Sequence, residues 1–188
     1  MTQTQLAVLV IAVIAIVAVA VLIVLRRRSA KLRARFGAEY DRVVAETGNR
    51  FKAEAKLESA EKRVKSYSLT TVSAADRDRF QQSWRKIQAT FVDDPARALS
   101  EADQLLGTVM LARGYPASDF ENRAAEISVD HATVVENYRA GHDIAVLHSQ
   151  HQATTEDLRQ GMLHYRALFD ELMGEEQVPL RARAAGHS

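Results

Sequence analysis

The sequence predicts an all-α protein, in which an N-terminal transmembrane helix is followed by basic juxtamembrane helices and a small helical bundle. Three observations support this fold class. The chain begins with a long apolar run, the rest of it is rich in helix-forming residues such as Ala, Glu, Arg and Leu, and only 8 Gly and 3 Pro interrupt its 188 residues. So few turn-forming residues argue against a β-sandwich or barrel, which needs many short turns.

The apolar run extends from Leu6 to Leu25 and contains 20 residues without a charge, hydroxyl, Gly or Pro. A helix of that length is about 30 Å long, which matches the hydrocarbon core of a bilayer. Apolar side chains surround its whole circumference, whereas a helix of a soluble domain keeps a polar face. We therefore expect residues 1–25 to form a transmembrane anchor.

A basic cluster directly follows the run and indicates its orientation. It consists of Arg26, Arg27, Arg28, Lys31, Arg33 and Arg35. The positive-inside rule then places the C-terminal side in the cytoplasm and the N-terminus outside. The same residues are within reach of anionic lipid headgroups, although topology marking alone explains them. The cluster lacks interleaved aromatic residues, so nucleic-acid binding is not expected.

A cleaved secretory signal is the alternative to an anchor. Such signals have a basic leader and an apolar stretch of about 7–15 residues. Here the leader MTQTQ carries no Lys or Arg, and the apolar run is longer. The anchor therefore explains this segment better.

Residues 26–68 are expected to form a basic juxtamembrane helical region, with 13 Lys or Arg against 6 Asp or Glu. Gly37 and the pair Gly48-Asn49 predict breaks between its helices. Within residues 50–67, an apolar seam recurs at steps of three and four: Leu57, Ala60, Val64 and Tyr67. This seam is compatible with a coiled coil, but it covers little more than one heptad, so we expect packing against the protein's own domain.

Residues 69–174 are expected to form the helical bundle, followed by a flexible tail at residues 175–188. Three helix starts are predicted by capping residues: Ser73, Asp94 before Pro95, and Thr154. Two further helices are expected, one around residues 118–127 and one from about residue 132 to 149, the second with Asp130 as its N-cap. Gly174 is expected to end the last helix.

Several longer stretches carry a family resemblance: RARFGAEYDRVV at 33–44, SWRKIQATFVDDPARALSEADQLLGTVMLARGYP at 83–116, ISVDHATVVENYRAGH at 127–142 and LRQGMLHYRALFDELM at 158–173. Together they resemble an uncharacterised bacterial family of single-pass membrane proteins with a helical soluble domain, often described as hypothetical or secreted proteins. The resemblance implies a membrane anchor and a helical domain. It brings no activity, cofactor or site residue with it.

The motif search favours no enzyme and no cofactor. The chain has no Cys, which excludes thiol nucleophiles and Cys-based metal sites. Asp130, His131 and His142 form the densest polar cluster and are the enzyme alternative, but helix capping explains Asp130 more simply. His148 and His151 would share a helix face, yet two ligands make a weak metal site, and solvated surface is the simpler interpretation.

The remaining hypothesis is a protein-interaction or scaffold module at the cytosolic face of the bacterial inner membrane, with the lipid bilayer and an unidentified protein as partners. A secreted or self-associating structural envelope protein is the alternative. Aromatic residues anchor many interfaces, and the candidates for a partner surface are Trp84, Tyr115, Phe120 and Tyr138. Most aromatics of this kind lie in a core, and the spacing of Trp84 with Phe80 and Ile87 favours burial.

Overall fold

The structure is a computed structural model that describes residues 3–174, without the side chains of residues 3, 4 and 6–10. Within that range it contains α-helices and no strand, which confirms the all-α fold class. The helices are α1 (Gln3–Phe36), α2 (Ala38–Thr47), α3 (Arg50–Ser66), α4 (Ala74–Asp93), α5 (Pro95–Ala112), α6 (Phe120–Asp130), α7 (Val135–Ser149) and α8 (Thr155–Gly174). The tail expected at residues 175–188 lies outside the described residues.

Contacts divide the chain into an N-terminal unit, residues 1–57, and a C-terminal unit, residues 58–188. The division falls within α3, earlier than the boundary after residue 68 that the sequence suggests. The seam of α3 explains this difference, because its later members Ala60 and Val64 are buried core residues of the C-terminal unit.

The N-terminal unit is organised by two glycines that break the helix at the expected places. Gly37 and Gly48 have φ values of 55° and 60°, a conformation that costs glycine little. The breaks allow α2 and the start of α3 to fold beside the end of α1. Its small core consists of Leu32, Phe36, Tyr40, Val43, Ala53 and Leu57.

Helix α1 continues without interruption from the apolar run into the basic cluster. Its apolar side chains between Ile11 and Val24 are exposed, with Ile11 at 67%. Searched over the described residues, no helix is long and apolar enough to cross a membrane. The structure does not describe the side chains of residues 6–10, which are the first five residues of the expected span.

The C-terminal unit is built around α5, which packs against α4, α7 and α8. Helices α7 and α8 form an antiparallel pair. Asn137 contacts His164, and further along α7 Ile144 lies near Gly161, where a Cβ atom would be 3.3 Å from Ile144 Cγ2. The apolar stripe of α5 faces this core: Leu99, Ala102, Leu105, Leu106, Val109 and Met110.

The three predicted caps are confirmed. The Ser73 hydroxyl accepts the Asp76 N–H at 3.1 Å, and the Asp94 carboxylate accepts the Arg97 N–H at 3.0 Å. At the start of α8, Thr154 Oγ1 accepts the Asp157 N–H while Asp157 accepts the Thr154 N–H in return. Each cap satisfies backbone donors that the first turn of a helix leaves open.

The prediction for Asp130 as an N-cap is wrong. Asp130 is the last residue of α6, residues 131–134 form a turn, and α7 begins only at Val135 without a side-chain cap. The cap in this region is Asp119, whose carboxylate accepts the Asn122 N–H at 2.9 Å and so starts α6 later than expected. A short carboxylate can cap any helix that follows it, so the sequence alone did not choose between the two.

Candidate functional site

The structure buries most of the aromatic residues considered for a partner surface. Trp84, Tyr115 and Tyr138 are 2% exposed or less, and Phe120 is half-buried. The expected burial of Trp84 beside Phe80 and Ile87 is confirmed. The rings do not form one surface: Tyr115 packs edge-on against Tyr67, whereas Phe120 packs against Tyr138.

A groove lies between α4 and α8, and Trp84 contributes to its wall. The groove has a volume of about 260 Å³ and is open on one side. Helix α4 supplies Gln81, Trp84 and Arg85. Helix α8 supplies Arg166, Phe169, Asp170 and Met173. Apolar rings and a thioether thus stand beside two arginines and one carboxylate.

The geometry around Trp84 is well defined. Its ring stacks on Phe169, with centroids 4.8 Å apart and planes 20° from parallel. The Arg166 guanidinium lies 5.7 Å from the Trp84 ring, and Arg166 Nε also donates to Asp170 at 2.7 Å. The indole Nε1 of Trp84 is buried and has no hydrogen-bond partner among the described residues. A buried donor without an acceptor is costly for the fold.

A second polar cluster includes the buried Tyr138 and Tyr165, whose ring centroids are 6.2 Å apart, and the half-buried charges of Asp103 and Arg123 act on both phenols. Burial raises the pKa of both tyrosines, and the negative charge of Asp103 raises it further. Both phenols are therefore protonated at neutral pH. They are suited to packing and to donating hydrogen bonds, not to acting as a base or nucleophile.

The enzyme alternative requires Asp130, His131 and His142 to converge, and the structure places His142 apart from the other two. His131 is buried at the end of α6, where its Nδ1 lies 3.2 Å from Glu171 Oε1 on α8. His142 instead stacks on Phe120, with ring centroids 3.5 Å apart. Phe120 and His131 stand at opposite ends of α6, about 16 Å apart along the axis. The two imidazoles therefore face different surroundings.

The histidine pair near the end of α7 does not lie on one helix face, because α7 ends between its two members. His148 is in the last turn of α7, and His151 follows in a turn with φ 59°. Among the described residues, no group of three or more His, Asp or Glu is placed to hold a metal ion.

The N-terminal unit contains a buried carboxylate that the sequence did not reveal. Glu54 on α3 is 2% exposed and accepts hydrogen bonds from Ser29, from the Tyr40 hydroxyl at 3.0 Å and from Arg50 Nε at 3.0 Å. Burial alone would raise the pKa of Glu54, but these donors outweigh it and lower the pKa.

The basic cluster that follows the apolar run is mostly exposed. Arg35 is half-buried, and the exposed members are Arg26, Arg27, Arg28, Lys31 and Arg33.

Sequence reasoning missed Arg166, Phe169 and Asp170 as members of the groove. Phe169 lies in phase with other apolar residues of α8, such as Tyr165 and Leu172, which is typical of a core position, but no local pattern shows that α8 packs beside α4. A weak signal was present in the i, i+4 pair of Arg166 and Asp170, which marks a face of α8 where charges lie next to an apolar stripe.

The chain matches no family model, and no curated protein and no solved structure is significantly similar to it.

Proposed function

We propose that the protein is a membrane-anchored interaction module that holds a protein partner at the cytosolic face of a bacterial inner membrane. Helix α1 is the anchor, and the groove between α4 and α8 is the docking site. The observation that carries the docking proposal is the open groove itself, where the stacked rings of Trp84 and Phe169 lie beside the exposed Arg85.

The anchor is supported by the sequence and by the exposure of α1. The run from Leu6 to Leu25 is long enough to span a bilayer only when all of its residues are counted. The part of the run whose side chains are described, residues 11–25, rises only about 22 Å. The exposed Ile, Val and Leu side chains of that part would be unfavourable in water, and a lipid environment removes this cost.

The groove indicates the chemistry of the partner. Trp84, Phe169 and Met173 suit an apolar side chain. Arg85 is exposed at the rim, and Arg166 shares its charge with Asp170. A segment that presents an apolar residue beside an acidic one would fit these features.

Photo-crosslinking from membranes tests the proposal. The photoreactive residue p-benzoylphenylalanine would replace Gln81 in the groove, and Gln104, an exposed residue of α5, is the matched control position. We expect a distinct protein to be captured from position 81 and not from 104. Arg85→Glu reverses the exposed charge at the groove, and it should reduce the capture of an acidic segment several-fold.

Two outcomes would contradict this function. Equal labelling from positions 81 and 104 would show that the groove is not the docking site. Capture of only a second copy of the chain would favour the alternative of a self-associating structural protein.

A further inference from the structure

An exposed aromatic residue marks the first turn of α3. Phe51 is 64% exposed, and its neighbours Arg50 and Lys52 are exposed as well. Large apolar side chains with this exposure are unremarkable when they are isolated in water. Phe51 differs because it lies between two cations and close to the end of the apolar run.

The position of Phe51 follows from the contact between Ser29 and Glu54. Ser29 is four residues beyond Leu25, about 6 Å along α1. Its hydroxyl donates to the buried carboxylate of Glu54 on α3. Phe51 precedes Glu54 by three residues, so their Cβ atoms are about 5–6 Å apart on the same side of α3.

The first turn of α3 is firmly held in this place. The Glu54 carboxylate also accepts from Tyr40 on α2 and from Arg50 on α3 itself, so three helices meet at one buried charge. Breaking such a site would leave a buried carboxylate unsatisfied, which is strongly unfavourable. Phe51 is therefore presented by a fixed scaffold.

The charge of the surrounding surface indicates what Phe51 contacts. Residues 26–57 contain 10 Lys or Arg against 4 Asp or Glu. Two of these acids, Glu39 and Glu54, are buried, so the exposed surface is more basic than the count suggests. A protein partner would need a matching acidic face, whereas an anionic bilayer is already adjacent if α1 is the anchor.

We propose that Phe51 inserts into the headgroup region of an anionic bilayer, with the exposed side chains of Lys52 and Arg50 contacting lipid phosphates. Aromatic residues favour this interface, and basic residues near it are attracted to anionic lipids. The contact would be a second membrane attachment beside α1. It rests on the proposed anchor, but it can fail independently of it.

The chain contains no Cys, so a single introduced cysteine is the only site that a thiol-reactive fluorophore labels in the full-length protein. An environment-sensitive fluorophore would be attached to Phe51→Cys, to Ala38→Cys and to Ala18→Cys, each in nanodiscs of phosphatidylcholine with or without phosphatidylglycerol. Ala38 is an exposed control that follows the end of α1, whose last residue lies about 16 Å beyond Leu25. Ala18 reports on the anchor.

We expect the label at position 51 to shift to the blue and to be quenched by brominated lipid in anionic nanodiscs. The shift should be smaller in neutral nanodiscs and should be reduced by Lys52→Glu, while the label at 38 should report water in both. The lipid contact is refuted if the label at position 51 reports water, as the label at position 38 does. It is also refuted if the emission at position 51 shifts to the blue but brominated lipid does not quench it. A label at position 18 that reports water would refute the anchor. The label at position 51 would still show whether Phe51 contacts lipid.

Discussion

The ring of Tyr165 on α8 lies against the backbone of Gly141 on α7, and a Cβ atom at position 141 would come within 2.5 Å of Tyr165 Cε1. This approach lets the two helices pack closely while the Tyr165 ring remains fully buried. The glycine is therefore required by packing and not by an unusual backbone conformation.

Gly141→Ala is expected to destabilise the C-terminal unit by about 1–3 kcal/mol, because the rigid Tyr165 ring cannot move aside and over-packing of a core has that cost. Thermal unfolding followed by circular dichroism would measure the effect. Gly174→Ala is the control, since a Cβ there meets nothing within 4 Å. Equal melting temperatures of the two variants would contradict the packing shown here.

Gly114 is required by its backbone conformation and by a close contact with the backbone of Ser68. It has φ +94°, and a Cβ there would lie 2.6 Å from the Ser68 carbonyl oxygen. Gly114→Ala should therefore lower the free energy of unfolding by about 1–3 kcal/mol through strain and steric conflict with the backbone. Gly107→Ala is the comparison, because its Cβ would meet only the end of the Arg123 side chain at 3.0 Å. A larger loss for Gly107→Ala than for Gly114→Ala would refute this account.

The N-cap of α5 can be tested with a control variant at the adjacent residue. Asp94→Ala removes the acceptor for the Arg97 N–H and should destabilise the protein by about 1 kcal/mol. Asp93→Ala changes the adjacent exposed carboxylate, which ends α4, and should have a smaller effect. Urea denaturation of both variants would measure the difference, and indistinguishable midpoints would argue against the cap.

The Glu54 site predicts a pH dependence of the N-terminal unit. The pKa of Glu54 is lowered by its hydrogen bonds in the folded state, so its stabilising contribution is present above the unfolded pKa of about 4.3 and is lost as the pH falls through the folded value. Hydrogen exchange of the amides of residues 50–57, corrected for intrinsic rates, should show weaker protection at pH 3.5 than at pH 7.

Glu54→Gln is the test of this assignment. The variant keeps an acceptor oxygen but cannot ionise. The amides of residues 50–57 should therefore be less protected than in the unmodified protein at pH 7, and their protection should change little between pH 7 and pH 3.5. Unchanged protection at pH 7, or an undiminished loss on acidification, would show that another group controls the stability of this unit.

Local features of the fold were predictable from the sequence because they depend on nearby residues. The caps at Ser73, Asp94 and Thr154, and the helix breaks at Gly37 and Gly48, each follow from the conformational preferences of one or two residues. The start of α7 was not predictable in this way, since its first turn has no side-chain cap and Asp130 lies in the preceding helix.

The candidate sites depend on long-range pairing, which no local pattern encodes. Trp84 and Phe169 are 85 positions apart in the sequence, and their stacking requires α4 and α8 to lie side by side. Ser29 and Glu54 belong to segments that look merely polar until the turns at Gly37 and Gly48 bring them together. The amphipathic stripes indicated that these helices pack, but not against which neighbour.

We propose that α1 anchors the protein with its C-terminal side in the cytoplasm. Fusions of the full chain to a fluorescent protein and to alkaline phosphatase, both at the C-terminus, test it most directly in bacterial cells. We predict a fluorescent fusion in the membrane fraction, resistant to carbonate extraction, and an inactive phosphatase. An active phosphatase with a dark fluorophore, or a fusion recovered entirely in the soluble fraction, would contradict the account.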